Sequence, residues 1–184
     1  RASSGGAGPF RPDRVAPGAP ATSESGVFPR SLVRQAAGLG LMGVAIPTAW
    51  GGAGLDYVSY AIALEALAGA SAVMAVIAAV NNSLVVEPLA QFGTDVQKET
   101  WLRRLASGES IGAFALSEEH AGSDAANQQT IAVIDDRGYV LNGRKVWVAN
   151  AEVADVAIVF AATQPRSRGR GIRGVGGPAP PARI

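Results

Sequence analysis

The feature that most constrains the fold of this chain is a single change of period at Gly108: apolar residues recur at helical spacing before it and alternate after it. Pro29 suits a first helical position, and Leu32, Val33, Ala36 and Leu39 follow at helical intervals until Gly38 and Gly40 end the element. A short apolar segment at residues 42–47 leads to the glycine-rich loop Trp50-Gly-Gly-Ala-Gly. That loop lacks the Lys-Ser/Thr of a phosphate-binding loop and the spacing of a dinucleotide fingerprint, so a structural turn is the preferred reading. Asp56 caps a helix from Tyr57 to about Ala68, closed by Gly69. Its one acid, Glu65, is either a base with a raised pKa or, as preferred, a boundary residue or ion-pair member. The next helix, residues 71–86, is apolar nearly all round, and Pro88 and Gly93 mark its end. Asn81, Asn82 and Ser83 interrupt it, to face a ligand cavity or to hydrogen-bond between helices. Thr94 with Gln97 forms a capping box for a last helix, which turns Trp101, Leu102 and Leu105 inward until Ser107-Gly108.

Beyond Gly108, residues 111–116, 130–134, 138–141, 145–149 and 154–161 read as strands, with Asn142-Gly143 as a hairpin turn between the third and fourth. Helices first and strands afterwards predict an α+β chain, an all-helical domain followed by a β domain. Residues 114–124, Phe-Ala-Leu-Ser-Glu-Glu-His-Ala-Gly-Ser-Asp, read as a strand emptying into a tight turn. The turn offers successive amides with Ser117 and Ser123 as side-chain donors, an anion cradle in principle, although a plain strand, turn and Asp cap is the preferred reading of the residues alone.

Sixteen basic against fifteen acidic residues give a net charge of +1, so no broad field attracts nucleic acid or anionic lipid. The absence of cysteine excludes disulfides and thiolate catalysis, and the single histidine, His120, excludes a multi-histidine metal centre. The longest apolar run, residues 72–80, is too short to span a bilayer, which predicts a soluble protein. Residues 1–26 are expected to be a disordered or foreign leader, 27–109 the helical domain, 110–163 part of the β domain and 164–184 a disordered tail. The Arg166-Ser-Arg-Gly-Arg-Gly stretch of that tail has no aromatic residue to stack a base, and is read as a spurious or truncated end.

Taken in order, Gly40-Leu-Met-Gly, Trp50-Gly-Gly-Ala-Gly-Leu, Tyr60-Ala-Ile-Ala-Leu-Glu, Asn82-Ser-Leu, Phe92-Gly-Thr, Leu105-Ala-Ser-Gly-Glu, residues 114–124, Leu141-Asn-Gly-Arg-Lys-Val-Trp-Val-Ala-Asn and Ala154-Asp-Val resemble the acyl-CoA dehydrogenase family. The match runs from Phe28 to Thr163 and looks most like the short-chain, butyryl-type members. The resemblance implies a helical domain, a β-barrel-like middle domain in which this chain stops, and a C-terminal helical domain carrying the glutamate base. It implies FAD held by Phe114, Ala115, Leu116, Ser117, Gly122, Ser123, Trp147, Val148 and Ala149, with Ser123 also near the acyl-CoA thioester. Ser117 stands where the family has a threonine against the isoalloxazine ring, Trp147 where a tryptophan flanks that ring, and Ala149 where a threonine hydroxyl is absent here. Glu119 and His120 replace a proline and a glycine or acid. His120 is read as a solvent-facing loop residue rather than a base.

The implied reaction is α,β-dehydrogenation of a fatty acyl-CoA in β-oxidation, with hydride passing to the flavin and electrons then to an electron-transfer flavoprotein. It implies a cytoplasmic enzyme, in the mitochondrial matrix if eukaryotic, homo-oligomeric at full length, with no catalytic base and no metal in this chain. The alternatives are an acyl-CoA oxidase-type flavoenzyme and a non-catalytic or decayed fragment without flavin.

Overall fold

A computed structural model describes residues 26–136, 138–164 and 171–178. The chain divides into two compact units, residues 1–110 and 111–184. The leader expected over residues 1–26 lies almost wholly outside the described residues.

The first unit is helical. Helix α1, Arg30–Gly38, begins one residue later than expected, with Pro29 as its cap, and buries Val33 and Ala36. Helix α2, Tyr57–Ala70, is capped by the Asp56 carboxylate, which accepts the Ser59 N–H at 2.8 Å. Gly69 lies inside this helix, and extended Ser71 ends it, its hydroxyl then capping the next helix by accepting the Met74 N–H. Helix α3, Ala72–Phe92, is long and apolar enough by length and composition to cross a bilayer. It nevertheless buries Met74, Ile77, Asn81, Val85 and Val86 inside this unit. It passes straight through Pro88, where the sequence predicts its end. The reason lies just upstream: Val80–Val86 is wound as a π-helix, and its wider turn relieves the clash of the proline ring and the loss of one donor. Helix α4, residues 95–106, starts with the reciprocal Thr94–Gln97 capping box and also contains a π segment, Lys98–Leu102. Leu102, Leu105 and Ala106 are its buried face.

The second unit is a five-stranded sheet. Strands β1 (Gly112–Ala115), β2 (Ile131–Asp135), β3 (Gly138–Asn142), β4 (Val156–Ala162) and β5 (Ile172–Pro178) are ordered around β4. β1 runs parallel to the first half of β4, β2 meets its far end at Ile131–Ala162, and β5 pairs antiparallel along its whole length. The interior is built from alanines, among them Ala113, Ala115, Ala157 and Ala161, and side chains this short allow close approach. The sheet is open among the described residues rather than closed into a barrel, and β3 is exposed throughout.

Three sequence expectations fail here. The β2–β3 reversal falls between Asp135 and Gly138, not at Asn142-Gly143. Residues 145–149 form no strand, because Lys145 is drawn into the interior by three acceptors and Trp147 adopts a left-handed backbone. The tail also holds a strand, β5: its glycines, Gly174, Gly176 and Gly177, hide the alternation, but seven residues of ladder to β4 supply the order that propensity lacks. The arginine-rich stretch at 166–170 lies outside the described residues.

Candidate functional site

The candidate site is built where β1 runs out. Side chains on β1 alternate, so Phe114 takes one face and Ala113 and Ala115 the other, and Leu116 follows the strand half-buried. Ala115 is buried, and Phe114 stacks at a tilt on Phe160, ring centroids 5.1 Å apart. Ser117 follows, half-buried, and its hydroxyl has no hydrogen-bond partner among the described residues. The chain then reverses: Glu118 and Ala121 exchange N–H···O bonds of 3.1 and 3.2 Å around Glu119 and His120. Gly122, Ser123 and Asp124 emerge exposed from this reversal, and a Cβ built on Gly122 meets nothing within 4 Å. That leaves open space against the backbone, as a cradle for an anion requires.

The second motif lies beside the first. The Val146 N–H donates to the Ser117 carbonyl at 2.9 Å, so Trp147, Val148 and Ala149 begin next to the end of β1. Trp147 is 94% exposed and has φ +57°, an unusual state for a bulky residue. Asn150, also left-handed at φ +64°, donates from Nδ2 to the Gly112 carbonyl at 3.1 Å and anchors the far side of the segment. Of the nine residues expected around the cofactor, Ser117 and Trp147–Ala149 are thus brought together. Gly122 and Ser123 follow the Glu118–Ala121 reversal, Ala115 has only its backbone to offer, and Phe114 spends one ring face on Phe160.

The group that sequence reasoning missed sits underneath. Glu118 is 8% exposed and its carboxylate accepts the Gln129 N–H at 2.6 Å, the Thr130 N–H at 3.0 Å and the Lys145 ammonium at 2.7 Å. Burial by itself would raise its pKa, but Lys145 and the two amides outweigh burial and hold it at about 2. The Glu-Glu and Arg-Lys pairs in the two motifs were the only signal, and nothing local says which member turns inward. Glu119, His120 and Arg144 stay exposed and line an open cavity of about 280 Å³ with Gln129, Thr130 and Gly143.

In the helical unit the alternatives resolve differently. Asn81 Nδ2 donates to the carbonyls of Met42 and Leu105 at 2.9 and 3.0 Å, and Asn82 accepts the Val44 N–H at 2.8 Å while donating to Leu41 and Ala78. These amides fasten a loop to the helices. Ser83 instead shares a 2.7 Å hydrogen bond with Tyr60 at an open pocket of about 130 Å³. Glu65 is exposed on α2, and the Trp50 loop is a structural turn, with its Ala53, Gly54 and Leu55 amides donating to the carbonyls of Gly43, Ile46 and Val44.

A model of the acyl-CoA dehydrogenase N-terminal domain matches residues 7–109, and a model of the acyl-CoA dehydrogenase middle domain matches residues 113–176. The human mitochondrial short-chain specific acyl-CoA dehydrogenase is 44% identical over 146 residues, which is 79% of this chain and 35% of the human one. The solved butyryl-CoA dehydrogenase of Megasphaera elsdenii superposes with a TM-score of 0.84 at 37% identity, over 90% of this chain and 44% of that one. A glutaryl-CoA dehydrogenase of Mycobacterium smegmatis in complex with FADH2 gives a TM-score of 0.81 at 34% identity, over 90% and 41%. The chain thus spans less than half the length of these relatives.

Proposed function

The chain belongs to the acyl-CoA dehydrogenase family, and on that premise we propose that it supplies the helical part and one cofactor wall of a flavin-dependent enzyme that dehydrogenates short-chain acyl-CoA thioesters between the α and β carbons. The observation that carries this reading is the Val146-to-Ser117 hydrogen bond of 2.9 Å, which joins the two motifs into one surface beside an indole with nothing covering it.

The residues present fit a flavin. Trp147 offers a flat apolar face, the uncommitted Ser117 hydroxyl suits the polar edge of the ring, and the open backbone at Gly122 and Ser123 suits a phosphate. When bound, FAD supplies the hydride acceptor. This chain's residues orient the ring and hold its phosphates, with Ser123 also facing the thioester end. They are not proposed to take the α-proton: the buried carboxylate between the two motifs, Glu118, is ion-paired with a pKa of about 2, far too weak a base for that step. On this reading the base is the glutamate that the family resemblance implies in a C-terminal helical domain. An electron-transfer flavoprotein as acceptor, a homo-oligomeric full-length enzyme, no membrane or nucleic-acid partner, and a cytoplasmic or mitochondrial-matrix location complete the proposal.

Titration of the purified chain with FAD, followed by quenching of flavin fluorescence, tests it. Saturable binding that Trp147→Ala weakens about tenfold is expected for a lost stacking partner. Absence of any binding, or binding indifferent to Trp147 and Ser117, would overturn it. Butyryl-CoA is expected to leave the bound flavin unbleached.

A further inference from the structure

We propose that Lys145 and Glu118 are positioning residues, a buried latch that sets the end of β1 and the Trp147 segment in register. This inference rests on the flavin wall described above. An indole that is 94% exposed has no packing to hold it, so its position comes from the backbone on either side. On one side Asn150 is tied to Gly112. On the other, the chain is tied by Lys145 and by the Val146 N–H.

The Lys145 ammonium has three donors and spends all of them inside the protein. It reaches the Leu116 carbonyl at 2.9 Å, the Glu118 carboxylate at 2.7 Å and the Gln128 side-chain carbonyl at 3.0 Å. Those acceptors belong to the segment after β1 and the segment before β2, while Lys145 itself follows β3. Glu118 closes the arrangement by also accepting the amides of Gln129 and Thr130. Both side chains are buried, to 10% and 7% exposure. A buried ion pair is a poor choice for stability alone, because apolar residues of similar volume do as well. It is a good choice for register. Every acceptor sits at a fixed place, and a slip of one residue would leave a buried charge unpaired. Because Val146 adjoins Lys145 and Ser117 lies between two of its acceptors, the latch fixes the spacing between the Ser117 hydroxyl and the Trp147 backbone.

The test uses the 184-residue chain in four forms: wild type, Lys145→Met, Lys145→Arg and the double variant Glu118→Gln/Lys145→Met. Amide hydrogen exchange is read at Val146, Gln129 and Thr130, with the β1–β4 ladder as internal reference. Lys145→Met is expected to speed exchange at Val146 at least about tenfold more than along the ladder, and Lys145→Arg, which keeps charge and donors, to recover part of that excess. FAD affinity is expected to fall in parallel. If Lys145→Met does not fold, the double variant, which buries no charge, is expected to show the same loss at Val146. Unchanged protection at Val146, or equal acceleration along the whole ladder, overturns the latch. A wild-type chain that binds no FAD would remove the flavin reading instead, and the exchange pattern would still decide whether the latch exists.

Discussion

Among the described residues each unit shows a buried polar clamp that fastens irregular chain to regular structure, and the two clamps differ in charge. In the helical unit, Asn81 and Asn82 take hold of the loop carrying Leu41, Met42 and Val44 through neutral amides. In the sheet unit, Glu118 and Lys145 hold the segments around β1, β2 and β3 through an ion pair. A neutral amide clamp is indifferent to pH and tolerates a relaxed partner; an ionic one titrates and is unforgiving once a partner is lost. The helical clamp ends in a core whose buried polar groups are mostly answered by backbone. The ionic clamp ends at an exposed indole and an uncommitted hydroxyl, which is where a ligand is expected.

The strongest way to break this comparison is to cut each clamp. Lys145→Met strands a buried carboxylate and is expected to cost about 3–5 kcal/mol in urea denaturation, with part recovered in the double variant with Glu118→Gln. Acid is the gentler cut. The Glu118 carboxyl is held at about 2 against an ordinary 4.5, so its contribution is fully present above about pH 4.5 and is lost as pH falls towards 2. At neutral pH that contribution is on the order of 3 kcal/mol. Wild type is therefore expected to lose stability over this window and Glu118→Gln to show a flatter profile; parallel profiles would mean that the ion pair does not carry the difference.

The neutral clamp comes next in size. Asn82→Ala leaves the Val44 N–H and the Leu41 carbonyl without their partner, a cost of roughly 2 kcal/mol with no dependence on pH between 4 and 8. An effect that grows in acid would dissolve the contrast between the two units.

The helical unit was legible where its signals are local. The Thr94–Gln97 box, the Asp56 cap and the inward face of Leu102 and Leu105 each depend on residues within a turn or two. What the sequence hid came from a distance. Pro88 reads as a stop only if the preceding turn is an α-turn, and the π-helix at Val80–Val86 removes that premise. Asn142-Gly143 carries the strongest hairpin signal in the chain, yet β3 pairs backwards with β2, and Lys145 is pulled inward by acceptors as many as 29 residues away. The candidate site was legible as two motifs, since backbone amides, hydroxyls and an aromatic announce themselves. That Ser117 and Val146 meet, and that a charged pair beneath them makes the meeting specific, depends on register, which no single stretch encodes.

The finest cut separates shape from stability at Trp147. At φ +57° a bulky side chain strains the backbone, and at 94% exposure it returns no packing. Trp147→Gly removes the strain but gives the unfolded chain more freedom, so the stability change is expected to lie within about 1 kcal/mol of zero. The same variant is expected to weaken FAD binding about tenfold or more, since the stacking surface is gone. Loss of affinity at unchanged stability would identify the left-handed tryptophan as strain kept for a ligand. A stability loss well beyond 1 kcal/mol would instead make the indole a structural residue, and the sheet unit would then close on itself as the helical unit does.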